Sequence, residues 1–347
     1  MYSALECYRL HLREKFAFVM NVATPRKSLK SAPSYFSLAY IPNREDKFEG
    51  KLAVFFRKLL RQAFKRLMTS RVPFKTQRKI LNLLASGMPK VGGVSIERCM
   101  VQGVGVEIIK PKKPSVKGAI LYLHGGAFCI GSPKTHRSIT TRLAAMTGFE
   151  VWTVDYALAP EHPFPSGIAD VMTAYSALLS RGFSGKDIII AGDSAGGMLT
   201  LAAAVRIKHA RQPMPAGLVL ISPLTDGQYT GESIQTKREI DPVLSYDWIT
   251  TCAAAYQFPI NDSSHNPLKN PLNGLPPILT QVGDEEMLLD DSLRLHEHAT
   301  RCGVAIRTEV YEHRWHVFHA QAPFLRSAQT ALQRIADFAR ACHVENR

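Results

Sequence analysis

From Gly118 onward the chain alternates short apolar runs with stretches whose apolar residues recur every three or four positions. The runs are Ala119–Leu123, Val151–Val154, Ile188–Ala191, Leu218–Ile221, Ile278–Val282 and Ala305–Tyr311, with Val104–Ile109 ahead of them. Most lack the polar–apolar alternation of a half-exposed strand, so they read as parallel strands covered on both faces. Helical periodicity fills the gaps between them, as in Ile139–Met146, Ala169–Leu179 and Asp291–Cys302. This alternation predicts a doubly wound α/β domain with a mostly parallel sheet.

The N-terminal part has another pattern. Leu52, Phe55, Phe56, Leu59, Leu60, Ala63, Phe64, Leu67 and Met68 form one apolar series, with Lys51, Arg57, Lys58, Arg61, Lys65 and Arg66 on the opposite face. The spacing predicts an amphipathic basic helix over about 47–71. Its apolar face can pack on the α/β domain, or the helix can touch an anionic membrane surface. Gly227–Pro267 fits no strand–helix unit, and its pattern through Trp248–Tyr256 predicts a second helix over the site.

Charge follows the same division. The net charge is +14, but residues 1–117 carry +17 and the remaining 230 residues carry −3. Basic character therefore belongs to the N-terminal region rather than to the sheet. No zinc-ligand spacing or aromatic nucleic-acid motif accompanies it, so nucleic acid is not expected as a partner. Six scattered cysteines, without Cys-x-x-Cys spacing, fit free thiols rather than a disulfide framework or a metal site. Phe16–Met20 is too short for an export signal and no apolar stretch has membrane-span length, which makes the cytoplasm the expected location.

Chemistry concentrates at the ends of the predicted strands. Gly192-Asp193-Ser194-Ala195-Gly196 follows the run Ile188–Ala191 and opens the helical run Gly197–Val205. A serine in such a strand-to-helix turn projects its hydroxyl above the sheet beside a helix N-terminus, so Ser194 is the candidate nucleophile. His124-Gly125-Gly126 follows Ala119–Leu123. Without side chains, Gly125 and Gly126 expose backbone N–H groups that, with the N–H of Ala195, form a candidate oxyanion hole. His124 is read as holding that loop. His316, in the segment after the last strand, is the candidate general base. His313 and His319 are its loop neighbours, because no facing carboxylate or cysteine cluster completes a metal site. The orienting acid should follow Ile278–Val282, where Asp284, Glu285 and Glu286 are all available.

Taken together, His124-Gly125-Gly126, Asp155–Glu161 with His162–Pro165, Gly192–Gly197, and the acidic segment ending in Leu289-Asp290-Asp291, whose Glu286 stands thirty residues before His316, resemble the hormone-sensitive-lipase-like family of α/β-hydrolase carboxylesterases. The resemblance covers roughly Gly118 to the C-terminus. It implies an α/β-hydrolase fold with an N-terminal helical cap. Residues 1–90 are then the expected cap, 91–347 the catalytic domain, and 227–267 a further contribution over the site. Two positions depart from the family pattern. Ala127 replaces a third glycine, and aligning Asp290 with the family's final aspartate puts Glu286 at the place of the acid, with Asp284 as the alternative. The resemblance implies a serine esterase with Ser194, Glu286 and His316 as catalytic triad. Gly125, Gly126 and Ala195 are the oxyanion donors, and no cofactor or metal is needed. Expected substrates are short- to medium-chain esters, with lactones and aryl esters as further candidates. A non-catalytic binding protein on the same scaffold is the rival reading, but such proteins typically lose the histidine.

Overall fold

The computed structural model describes residues 36–42, 47–89, 91–114 and 117–345. Residues 1–35, the first part of the expected cap and the location of Phe16–Met20 and Cys7, lie outside them.

The predicted apolar runs form the centre of one sheet. β4 (Ala119–Leu123), β5 (Glu150–Asp155), β6 (Ile188–Asp193), β7 (Gly217–Ile221), β8 (Ile278–Gly283) and β9 (Ile306–Tyr311) pair in parallel. β4, β6, β7 and β8 are buried at every position, as their unalternating composition requires. β2 (Val94–Val101) and β3 (Val104–Pro111) add an antiparallel hairpin beside β5. β1 (Phe36–Ile41) closes the other edge by pairing in parallel with β9. The nine-strand order is β1-β9-β8-β7-β6-β4-β5-β3-β2. Residues 36–41, inside the segment expected to be helical cap, are therefore an edge strand. β1 and β2 escape pattern reading because edge strands are half exposed and need no continuous apolar run.

Among the described residues eight longer helices accompany the sheet: α1 (Lys47–Leu59), α2 (Phe74–Ser86), α3 (Arg137–Thr147), α4 (Ser166–Ser180), α5 (Ala195–His209), α6 (Tyr246–Tyr256), α7 (Leu289–Arg301) and α8 (Arg326–Glu345). α3 packs on α8, and α4 on α5. The buried apolar residues, among them Ile120, Leu121, Trp152, Ile190, Leu218 and Leu279, form one large core. Among the described residues no helix is long and apolar enough to cross a membrane. Cys99, Cys129, Cys252, Cys302 and Cys342 are free thiols.

The basic helix is present, with its polar face turned differently from the expectation. α1 runs on through one π-turn, Leu60–Phe64, into Lys65–Leu67. Ala53 and Met68 are buried, and Leu52, Phe56, Leu60, Phe64 and Leu67 pack against the core. Arg57, Arg61 and Lys65, placed by pattern on the outer face, instead bond to Glu285 and to the carbonyls of residues 238–241. Arg57 Nε reaches Glu285 Oε2 (2.9 Å), and Arg61 donates to the carbonyls of Glu239 (2.9 Å) and Ile240 (2.8 Å). Lys65 donates to those of Arg238 (3.1 Å) and Asp241 (2.7 Å). Phe55 and Leu59, read as part of the apolar face, are exposed, as is Val54 beside them. Periodicity counts apolar residues but cannot see that the surface beneath offers carbonyls and a carboxylate.

α2 and α6 join over the strand ends. Trp248 Nε1 donates to Gln77 Oε1 (3.0 Å), and Arg78 donates to the carbonyls of Cys129 (2.7 Å) and Ala159 (2.6 Å) while pairing with Glu161 (2.8 Å).

Close packing at the β6–α5 turn depends on glycine. A Cβ on Gly196 would lie 1.9 Å from the Leu123 carbonyl oxygen, and one on Gly192 would lie 2.3 Å from the Gly196 carbonyl oxygen. Gly196→Ala must therefore push α5 away from β4. A loss of about 1–3 kcal/mol or more in urea unfolding is expected, and an unchanged midpoint would contradict the packing.

Candidate active site

The turn after β6 holds Ser194 at φ 54°, ψ −120°, a conformation that non-glycine residues rarely adopt. The loop after β7 keeps it there. Ser194 N–H donates to the Ile221 carbonyl (2.9 Å), and its carbonyl accepts from Leu224 N–H (3.0 Å). The side chain is 9% exposed and caps no helical N–H, so its hydroxyl is not consumed by the structural role a turn serine usually has. Ala195 is the first helical residue, whose N–H has no intrahelical acceptor.

The facing loop follows β4. A Cβ on Gly125 would meet Asp193 Oδ2 at 2.2 Å, and one on Gly126, at φ 125°, would meet the Ile130 carbonyl oxygen at 2.2 Å. The loop therefore tolerates no side chain at either position. Ala127 accepts its place with φ 51°, so the missing third glycine is accommodated by a left-handed residue. His124 is buried, stacks on Tyr156 (centroids 4.3 Å apart), and places Nδ1 2.9 Å from the Gly125 carbonyl oxygen. Burial, aided by neighbouring His136, lowers its pKa to about 3, so it is neutral and braces the loop as read from sequence. Asp193 is not a helix cap. It accepts from Tyr122 Oη (2.8 Å) and faces His136 Nε2 (3.2 Å). Burial raises its pKa, but His136 and Tyr122 outweigh that and leave it lowered; burial lowers that of His136, and the Asp193 charge leaves it raised.

The three adjacent acids separate in space. Glu286 is fully buried, and its Oε2 lies 2.8 Å from His316 Nδ1. Its Oε1 accepts from Ser222 Oγ (2.9 Å) and Gly283 N–H (2.5 Å). Asp284 instead accepts from His313 N–H (2.7 Å), and Glu285 pairs with Arg57. Asp290 and Asp291 face the 225–233 loop, accepting from Ser233 N–H (2.8 Å) and Thr225 N–H (2.6 Å) respectively. Burial lowers the pKa of His316, but the hydrogen bond and charge of Glu286, with Asp241 and Asp193 behind it, leave the pKa raised above its ordinary 6.5.

The other two loop histidines do not join it. His319 is buried with Nε2 2.8 Å from Gln281 Oε1, and burial lowers its pKa to about 3. His313 lies near Asp284 and Glu285, the candidate metal-spaced cluster among the described residues, where Arg57 already supplies a cation.

Two neighbours escaped the sequence reading. Ser222, which also accepts from Val317 N–H (3.1 Å), carries only a serine–proline turn signal. Asp241 is fully buried, and its Oδ2 accepts from Met287 N–H (2.9 Å), one residue past Glu286. The Asp241-Pro242 pair is only a turn signal ahead of α6, and nothing local ties it to Glu286.

This arrangement sits in a known framework. Residues 120–320 match the family described by the alpha/beta hydrolase fold. An esterase of Acinetobacter venetianus is 39% identical over 265 residues, spanning 76% of this chain and 87% of that protein. An acetyl-hydrolase of Streptomyces hygroscopicus is 33% identical over 258 residues, spanning 73% of this chain and 84% of that protein. The crystal structure of an esterase from the bacterial hormone-sensitive lipase family is similar at a TM-score of 0.79 and 35% identity, covering 87% of this chain and 100% of that one. The chain belongs to the α/β-hydrolase family, among its hormone-sensitive-lipase-like members, and is a carboxylic ester hydrolase.

The histidine environments can be read separately by ¹⁵N NMR. His124 and His319 are expected to stay neutral with flat ring-nitrogen shifts from pH 8 to 5, while His136 and His316 titrate above 6.5. Titration of His124 near 6.5 would contradict its placement.

Proposed function

We propose that the chain is a serine esterase acting on short- to medium-chain carboxylic esters through an acyl-enzyme. Ser194 Oγ attacks the ester carbonyl carbon as His316 takes its proton. The N–H groups of Gly125, Gly126 and Ala195 receive the negative charge that develops on the carbonyl oxygen. The tetrahedral intermediate collapses as His316 passes the proton to the leaving alcohol. Water, deprotonated by the same histidine, then releases the acid and restores Ser194. Glu286 fixes the imidazole with the proton on Nδ1 and stabilises the imidazolium. The observation that carries this reading is the 2.8 Å contact between His316 Nδ1 and a fully buried Glu286. Residues 47–89 and the helices of 227–267 act as the cap that limits the acyl chain. The acetyl-hydrolase relative favours the short end of that range.

Ser194→Ala should lower p-nitrophenyl butyrate turnover by about 10³-fold or more; equal rates would sink the proposal. Glu286→Gln should cost about 10²-fold in kcat, whereas Asp284→Asn should stay within about threefold. Because His316 must be neutral to accept a proton and its pKa is raised, kcat/KM should fall as pH drops through a midpoint above 6.5. In Glu286→Gln that midpoint moves down.

A second reading, contact of the cap with an anionic bilayer, is favoured by the outward face of α1. Val54, Phe55 and Leu59 are exposed there beside Lys51 and Lys58. Flotation with phosphatidylglycerol vesicles should capture the wild type and release Phe55→Ser. Equal capture by phosphatidylcholine vesicles, or none by either, would remove this reading.

A further inference from the structure

The catalytic reading leaves the inward cations of the cap unexplained. Arg57, Arg61 and Lys65 stand at four-residue steps along one helical segment, and all three reach loops that flank the acid and the histidine. Arg57 bridges two of these loops. Its Nε donates to Glu285 Oε2 (2.9 Å), one residue before Glu286, and its Nη2 to the His313 carbonyl (3.2 Å), three residues before His316. Its guanidinium also lies 5.7 Å from the ring of Trp315, the residue next to His316. Arg61 and Lys65 hold the carbonyls of 238–241, and Asp241 from that loop accepts from Met287 N–H, one residue after Glu286. Glu286 is thus held on both sides by groups that α1 and its continuation tie down.

We propose that Arg57 is a positioning residue. By bridging the acid loop to the histidine loop it sets their separation, so that seating of the cap helix and formation of the Glu286–His316 bond are one event. This inference rests on the reading of Ser194, Glu286 and His316 as the catalytic triad. Apolar packing alone could not set this distance, because it has no direction and allows sliding. A guanidinium fork donates along fixed directions to two different loops. The ion pair is also shielded, with side-chain exposures of 27% and 17%, so water competes weakly for it.

The test separates positioning from simple loss of charge. The charged groups facing His316 are Glu286, Asp241 and Asp193, with the Arg57 cation beyond Trp315. Removing a cation alone would raise the His316 pKa. Loosening its bond to Glu286 would lower it. The full chain carrying Arg57→Ala should show kcat for p-nitrophenyl butyrate reduced about tenfold or more, KM within about twofold, and the acid limb moved to lower pH. Arg57→Lys, which keeps the charge but loses the fork, should fall between. Glu285→Gln should reproduce the loss, and the Arg57→Ala/Glu285→Gln double variant should be no worse than Arg57→Ala. Unchanged kcat, or a loss with the acid limb unmoved or moved upward, overturns the proposal. If Arg57→Ala does not fold, Glu285→Gln carries the same kcat and KM expectations with the cap helix intact, and an unchanged kcat in it overturns the proposal. Full activity of Ser194→Ala would instead remove the triad reading itself. An inactive Ser194→Ala beside a fully active Arg57→Ala would remove only this inference.

Discussion

The structure turns on one buried carboxylate. Glu286 has no solvent exposure, and an unpaired charge in such a place costs several kcal/mol. It is compensated by Gly283 N–H at the end of β8, Ser222 Oγ just after β7 and His316 Nδ1 after β9. Three adjacent parallel strands must therefore deliver their loops to one point. Parallel pairing makes this possible, since it puts the C-terminal ends of β7, β8 and β9 at the same edge of the sheet. The loop after β7 also pins Ser194 through Ile221 and Leu224, so the candidate nucleophile shares a support with the acid.

Around this point the charges are sorted by sign. Glu286, Asp241 and Asp193 all favour a positive His316. The next negative group outward, Glu285, is matched by Arg57 from α1. The strong basicity of the N-terminal region thereby gains a structural meaning, because part of it is matched to residues 118–347, which carry a net −3. On the other side of Ser194, Asp193 is held between Tyr122 and His136 beneath glycines that leave no room for a Cβ. Neutral His124 completes that wall without adding charge to the site.

Legibility in the sequence followed burial. The central strands were readable because strands covered on both faces must be apolar throughout, and α5 because Ser194 and its glycines announce it. β1 and β2 were not, since edge strands carry no such constraint. The face of α1 was misread for a related reason. Arg57, Arg61 and Lys65 are cations that would ordinarily be solvated, and their inward placement depends on carbonyls of residues 238–241 and on Glu285, far away in the chain.

Local chemistry alone determined that a serine follows β6 in a strand-to-helix turn, that a bare glycine pair follows β4, and that a histidine follows the last strand. Each is a property of a few adjacent residues. The family register pointed to Glu286, but proximity along the chain could not separate it from Asp284 and Glu285. Only tertiary structure separated them, because the choice depends on direction. From one short loop, Asp284 turns to the backbone of His313, Glu285 to Arg57 of α1, and Glu286 inward to His316. Buried there, the inward carboxylate has the imidazole, a serine hydroxyl and a backbone N–H as its partners.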